Sequence, residues 1–220
     1  NVPFGAAILT IFFWRRLTAK AVWWSVSLTV LTILAVPNIA TEVRSVRQAP
    51  ALAVMSTTAE SKPVPVYWKQ LVRINPEDPA SALEGRGRFN LECYILGKFG
   101  LDVAKLAPQG REAATFYFDG LFPFIVLLLV SYGTRPTDRA RVDQFYGKMK
   151  TPVGDTPELE AAGMAETRRN PGRFDHTKLF PKSSWEFCKW DRVDTVGFLI
   201  CCAVSGAIIG LFVLLLTWAA

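Results

Sequence analysis

Residues 20–42 read KAVWWSVSLTVLTILAVPNIATE, and no position between Lys20 and Glu42 carries a charge. An α-helix rises about 1.5 Å per residue, so roughly 20 apolar residues cross a hydrocarbon core of about 30 Å. The same pattern returns near the end of the chain, where nothing after Asp194 is charged up to Ala220. Two such runs predict a membrane protein. Composition agrees: of 220 residues half are hydrophobic and seven are tryptophan, and the mean hydropathy is +0.22. The apolar residues come in blocks and are not spread along the chain as in a soluble core.

Working outward, the pattern predicts an all-α integral membrane protein with about four transmembrane helices. They cover about Val2–Trp14, Ala21–Ile39, Phe116–Tyr132 and Thr195–Trp218. Asp119 weakens the third. It fits best near the headgroups, with Phe116, Tyr117 and Phe118 as an aromatic belt, because an acid at the bilayer centre is costly. Arg15, Arg16 and Lys20 fill the turn between the first two segments without an acid. Arg135, Arg139, Arg141, Lys148 and Lys150 follow the third, against Asp138 and Asp143. Basic flanks stay in the cytoplasm, and both assignments give the same parity. The chain is thereby divided into 1–40, two helices with a basic cytoplasmic turn; 41–115, an extracytoplasmic insert; 116–134, a helix; 135–194, a cytoplasmic loop; and 195–220, a C-terminal helix.

Within the insert, SVRQAPALAVMSTTAESKPVPVYW (45–68) is rich in Pro, Ser, Thr and Ala and reads as an extended linker. The later stretch RGRFNLECYILGKFGLDVAKLA admits two readings. One is an amphipathic helix with Phe89, Cys93 or Tyr94, and Leu96 on one face; the other is an irregular loop. The cytoplasmic loop reads as mobile and without a core, with one short helix over Pro157–Thr167, where Glu158 and Glu160 suit the first turn. In and just before RVDQFYGKMKTPVG (141–154), Arg139, Arg141, Lys148 and Lys150 can meet anionic headgroups, Phe145, Tyr146 and Met149 can lie at the interface, and Pro152 ends the helix.

Other chemistries find little footing. Cys93, Cys188, Cys201 and Cys202 have no metal spacing, and His176 is a lone histidine in a polar loop. No metal site, catalytic constellation or phosphate-binding loop is expected, so the chain reads as no enzyme and no ATP-driven pump. The charge of +6 is scattered and gives no nucleic-acid footprint. Gly206 and Gly210 form a GxxxG step with Ala203 and Ala207 beside it, suited to packing within the protein or to dimerisation. The chain opens on Asn1 with neither a basic n-region nor a cleavage site. It is expected to be the C-terminal piece of a longer protein.

Two motifs carry a resemblance. FFWRRLTAKAVWWSV (12–26) is similar to a helix junction of the sodium:solute symporter family, where an aromatic-Trp-basic-basic end precedes a Thr-x-Lys turn. DQFYGKMKTPVG (143–154) resembles that family's cytoplasmic segment, an aromatic pair followed by basic residues and Thr-Pro-Val. The order of the motifs and the lone C-terminal helix also fit; the insert 41–115 has no counterpart. The resemblance implies the C-terminal fragment of an inverted-repeat transporter fold, in a multi-pass protein of the plasma (inner) membrane. Such a protein couples Na⁺ to a small solute, with both sites near the bilayer midplane. Na⁺ would be the coupling ion and no other cofactor is implied. The Na⁺ site would lie outside this fragment, in the N-terminal remainder of the same transporter. Ser25, Thr29 and Thr32 share one face of the second segment. The resemblance makes them candidates for lining the substrate cavity, whereas their residue types alone suit interhelical packing. The competing functional reading is a helical accessory or scaffold subunit that binds a partner through its extracytoplasmic insert.

Overall fold

In a computed structural model of the protein, residues 2–57 and 63–219 are described; residues 58–62 of the expected linker lie outside the described residues. The chain forms two compact units, Asn1–Arg139 and Ala140–Ala220.

The first unit is built on three helical rods. α1 spans Val2–Phe13. After the basic turn a continuous helix runs over Ala19–Glu42, made of α2 (Ala19–Thr29), a π-helical stretch (Val30–Ala35) and α3 (Val36–Glu42). Thr18 caps its start by accepting from the Ala21 N–H, a standard N-cap role for threonine. The third rod, α6, spans Pro108–Gly133. Ala6, Ala7, Ala21 and Leu127 form the buried contact among the three, with Leu17, Val22, Phe124 and Val130 around it. Small residues there let the backbones approach closely.

One end of this trio is tied by the basic turn. The Arg16 Nη2 donates to the Tyr132 carbonyl (3.2 Å), and the Thr18 and Thr134 hydroxyls are 2.8 Å apart. The Trp14 and Tyr132 rings lie 5.3 Å apart. The turn at Arg15–Lys20 and the exit of α6 therefore share one end of the trio, as the charge pattern requires.

The opposite end carries the insert, which departs from the sequence reading. A short helix α4 (Arg44–Arg47) and a 3-10 turn (Pro50–Leu52) stand where an extended linker was expected. Strands β1 (Trp68–Arg73) and β2 (Leu83–Phe89) pair antiparallel, with a bulge between Trp68 and Gln70. The chain is thus mostly helical but not wholly so. Phe89 ends a strand, and helix α5 runs only over Leu91–Lys98, so the amphipathic stretch divides between two element types. The hairpin forms because Trp68 needs cover. It is 1% exposed, stacks at 5.0 Å on Phe89, and packs with Ala40 of α3. Gly85 lies against the Trp68 ring, where an added Cβ would come within 2.2 Å. Gly87 has φ +76°, which only glycine adopts without strain. Val66, Cys93 and Val103 make a second small core beneath α5.

The second unit holds α7 (Arg139–Lys150), α8 (Pro157–Arg169) and α9 (Arg192–Ala219). Over 135–194, where a loop with one short helix was expected, α7 and α8 contact each other. The hydroxyls of Thr151 and Thr167 lie 2.7 Å apart, and Gly147 packs on the Thr167 methyl, leaving no room for a Cβ. α7 stops at Lys150, just before Pro152, and α8 starts at Pro157 with Thr156 as N-cap. Lys150 does not reach outward: its Nζ lies 2.5 Å from Glu186 Oε2. Tyr146 is buried too, while Phe145, Lys148 and Met149 are exposed. Asp191 and Asp194 accept each other's backbone N–H (3.0 and 2.8 Å) in a reciprocal cap at the start of α9.

Among the described residues, three helices are long and apolar enough to cross a membrane: Ala19–Glu42, Pro108–Gly133 and Arg192–Trp218. α1, with 12 residues, is apolar but shorter; the other three expected segments are of spanning length.

Candidate functional site

The site grows from two prolines. Pro37 has no N–H, so the carbonyl four residues back, that of Ile33, loses its α-helical donor. Pro123 does the same to the carbonyl of Asp119. Both lie inside spanning helices, where backbone groups released by proline are taken up by neighbouring groups and local π adjustments. Ahead of Pro37 the helix widens over Val30–Ala35, with the Val36 N–H bonding back to Leu31 O. The Asn38 Nδ2 adds a bond to Leu34 O (2.7 Å). Such π stretches concentrate at functional positions.

The Ile33 carbonyl finds a donor from the insert. Arg88, near the end of β2, gives its Nη2 to Ile33 O at 3.2 Å. The same nitrogen is ion-paired with Glu92 Oε1. Glu92 sits in the first turn of α5 and is fully buried. Its second oxygen, Oε2, has no hydrogen-bond partner, and neither has Asp119 Oδ1 on α6. Arg88 acts on both carboxyl groups, and Asp119 also acts on Glu92. Asp119 therefore faces a cation and a second acid. The headgroup position assigned from sequence had no such partner in view.

Around this triad lie Arg111, 7% exposed with Nη1 unpartnered, and the Cys93 thiol, 3.7 Å from Thr115 Oγ1. Burial pushes the Cys93 thiol up from its ordinary value, more than the Thr115 contact lowers it, so it stays protonated and unreactive. Burial likewise pushes the Glu92 carboxyl up, outweighing its own backbone N–H and the Arg88 guanidinium. Chemically, the cluster presents two acids to one well-placed cation across the junction between insert and spanning helices.

The residues singled out from sequence lie elsewhere on the same rod. Ser25, Thr29 and Thr32 are all buried, which fits their shared face. Ser25 donates to the Pro123 carbonyl at 3.1 Å, while the Thr29 hydroxyl has no partner. They are not part of the Arg88 cluster. Sequence reasoning passed over Arg88, Glu92 and Asp119 as a group, although Pro37 and Pro123 inside apolar runs were a signal that carbonyls would need outside donors.

Among the described residues no group of three or more His, Cys, Asp or Glu could hold a metal ion. The class that emerges is a mostly helical membrane protein with a folded insert between two of its spans. No family model, curated protein or solved structure matches the chain.

Proposed function

We propose that the chain is the C-terminal part of a Na⁺-coupled symporter, moving a small solute across the plasma membrane by alternating access. The reading rests on the two symporter-like motifs in the order that family uses. The observation that carries it furthest is the shared end of the helix trio. The Arg15–Lys20 turn and the α6 exit meet through Arg16, Thr18, Tyr132 and Thr134. In this reading that end is cytoplasmic and the insert is outside. The fragment supplies supporting helices and an outer cover, and the N-terminal remainder supplies the Na⁺ and solute sites. Coupling requires that Na⁺ occupancy shift the balance of outward- and inward-facing states.

The test is uptake by the full-length protein in proteoliposomes, across sugars, amino acids and carboxylates, with an inward Na⁺ gradient against a choline control. Na⁺-dependent accumulation of one solute class is expected. Equal uptake in both gradients for all classes overturns the proposal.

A second reading has its own support. The insert folds around its own small cores and bears an open groove of about 750 Å³, lined by Leu52, Tyr67, Phe89, Tyr94, Lys98 and Asp102 among others. An ordered outer surface of this kind suits a scaffold subunit. Transport by the full-length protein reconstituted alone would exclude that role as its sole function.

A further inference from the structure

We propose that Glu92 is a proton-binding site, and that its proton governs the grip of the insert on the π-helical stretch. This goes beyond the transport reading and does not depend on it. Arg88 is the link, since one nitrogen serves both Glu92 Oε1 and Ile33 O. Its position over Ile33 is held by the charge of Glu92. Yet Glu92 is fully buried with one oxygen unpartnered, a setting that penalises the charged form heavily.

The groups that bear on Glu92 are few. From β2 comes Arg88, with 44% of its side chain exposed, so water weakens its field. From α6 comes Asp119, a second negative charge with an unpartnered oxygen of its own. Arg111 on α6 and Arg88 act on the neighbouring thiol of Cys93, which is itself held protonated by burial. The π stretch contributes only the Ile33 carbonyl. Burial, with a second acid behind it, outweighs Glu92's own backbone N–H and the one half-exposed cation, which favours a proton on Glu92.

The consequence follows from the bonds. A proton taken from solution by Glu92 removes the anion that pins Arg88 over Ile33. Arg88, whose side chain is 44% exposed, then leaves Ile33 for solvent. Pro37 cannot donate to Ile33 O in its place, so the stretch Val30–Ala35 loosens. Protonation on the insert's side of the membrane thus loosens a spanning helix.

The test is hydrogen exchange read by mass spectrometry on the full-length protein in lipid vesicles, over a pH series with exchange times scaled to the intrinsic amide rate. A bond from a charged donor sets local opening by about tenfold or more. Peptides covering 30–42 should therefore lose about tenfold or more of their protection on acidification, with a midpoint above the 4.5 of an ordinary glutamate. Glu92→Gln should show the low protection at every pH, as should Arg88→Met. Asp119→Asn, which removes the competing acid without touching Glu92, should move the midpoint to lower pH. It also serves if Glu92→Gln fails to fold. A flat wild-type profile, a Glu92→Gln variant that keeps the transition, or an Asp119→Asn midpoint that does not move each overturns the proposal.

Discussion

Two glutamates, one in each unit, are equally buried and oppositely served. Glu186 has Lys178 Nζ at 3.1 Å from Oε1 and Lys150 Nζ at 2.5 Å from Oε2, so both oxygens meet a cation. Glu92 has one arginine on one oxygen and nothing on the other. The first arrangement meets each oxygen of the buried acid with a cation, and Asp175 lies 3.5 Å from Lys178 as a further acid. The second leaves an acid short of partners beside another acid and against a π-helical stretch. Burial alone does not mark a functional acid. What distinguishes Glu92 is incomplete compensation next to irregular backbone.

The largest effect is expected at the closed cluster. Glu186→Ala takes the anion from Lys150 and leaves buried Lys178 with Asp175 at 3.5 Å, and removing one partner from a buried pair costs about 3–5 kcal/mol. The α7–α8 region should become sensitive to limited proteolysis, while the hairpin stays resistant. Equal resistance of both regions would erase the contrast. Next comes Gly85→Ala. Its methyl would fall within 2.2 Å of the Trp68 ring, and overpacking of this kind costs about 1–3 kcal/mol. Proteolysis should then open the β1–β2 hairpin and spare α8.

A smaller effect sharpens the comparison through pH. Burial holds the Glu92 carboxyl above the 4.5 of an ordinary glutamate, so the folded insert binds this proton more tightly than the unfolded chain does. The associated stability is fully present below about pH 4.5 and is lost as pH rises through the raised folded value. Denaturant midpoints for the insert should fall over that window, and Glu92→Gln should remove the slope. This global trend is opposite in sign to the local release of the π stretch by acid, so the two measurements are independent. The smallest effect is at the helix contact. Ser25→Ala removes the bond to Pro123 O, worth about 0.6 kcal/mol in a membrane on average. Thr29→Ala removes a hydroxyl without a partner and should be neutral. Equal losses in a lipid-based unfolding assay would count against the contact as described.

The spans were legible because an uncharged run long enough to cross lipid has few other uses. Segments expected at Ala21–Ile39 and Thr195–Trp218 became Ala19–Glu42 and Arg192–Trp218. The helix after Thr156 was legible for a local reason, since Thr-Pro followed by acids is an N-terminal signal. The hairpin was not. Trp68, Gly85 and Phe89 pair only when the chain folds back, and the Pro- and Ser-rich stretch before Trp68 read as a linker. Lys150 looked like a headgroup contact because Glu186, which claims it, is far along the chain. The Arg88 cluster joins four elements, and no spacing pattern connects Ile33 with Arg88 and Asp119. Only the two prolines announced that something there would need a partner.

The symporter proposal requires the insert and the basic flank to lie on opposite faces of the membrane. Thiol labelling in sealed cells tests that most directly, with Lys98→Cys or Lys148→Cys introduced after Cys188, Cys201 and Cys202 are replaced by serine. Both lysines are exposed, and Cys93 is buried. An impermeant maleimide should label position 98 in intact cells and position 148 only after permeabilisation. Labelling of position 148 from outside, with position 98 protected, would contradict the orientation and the symporter reading built on it.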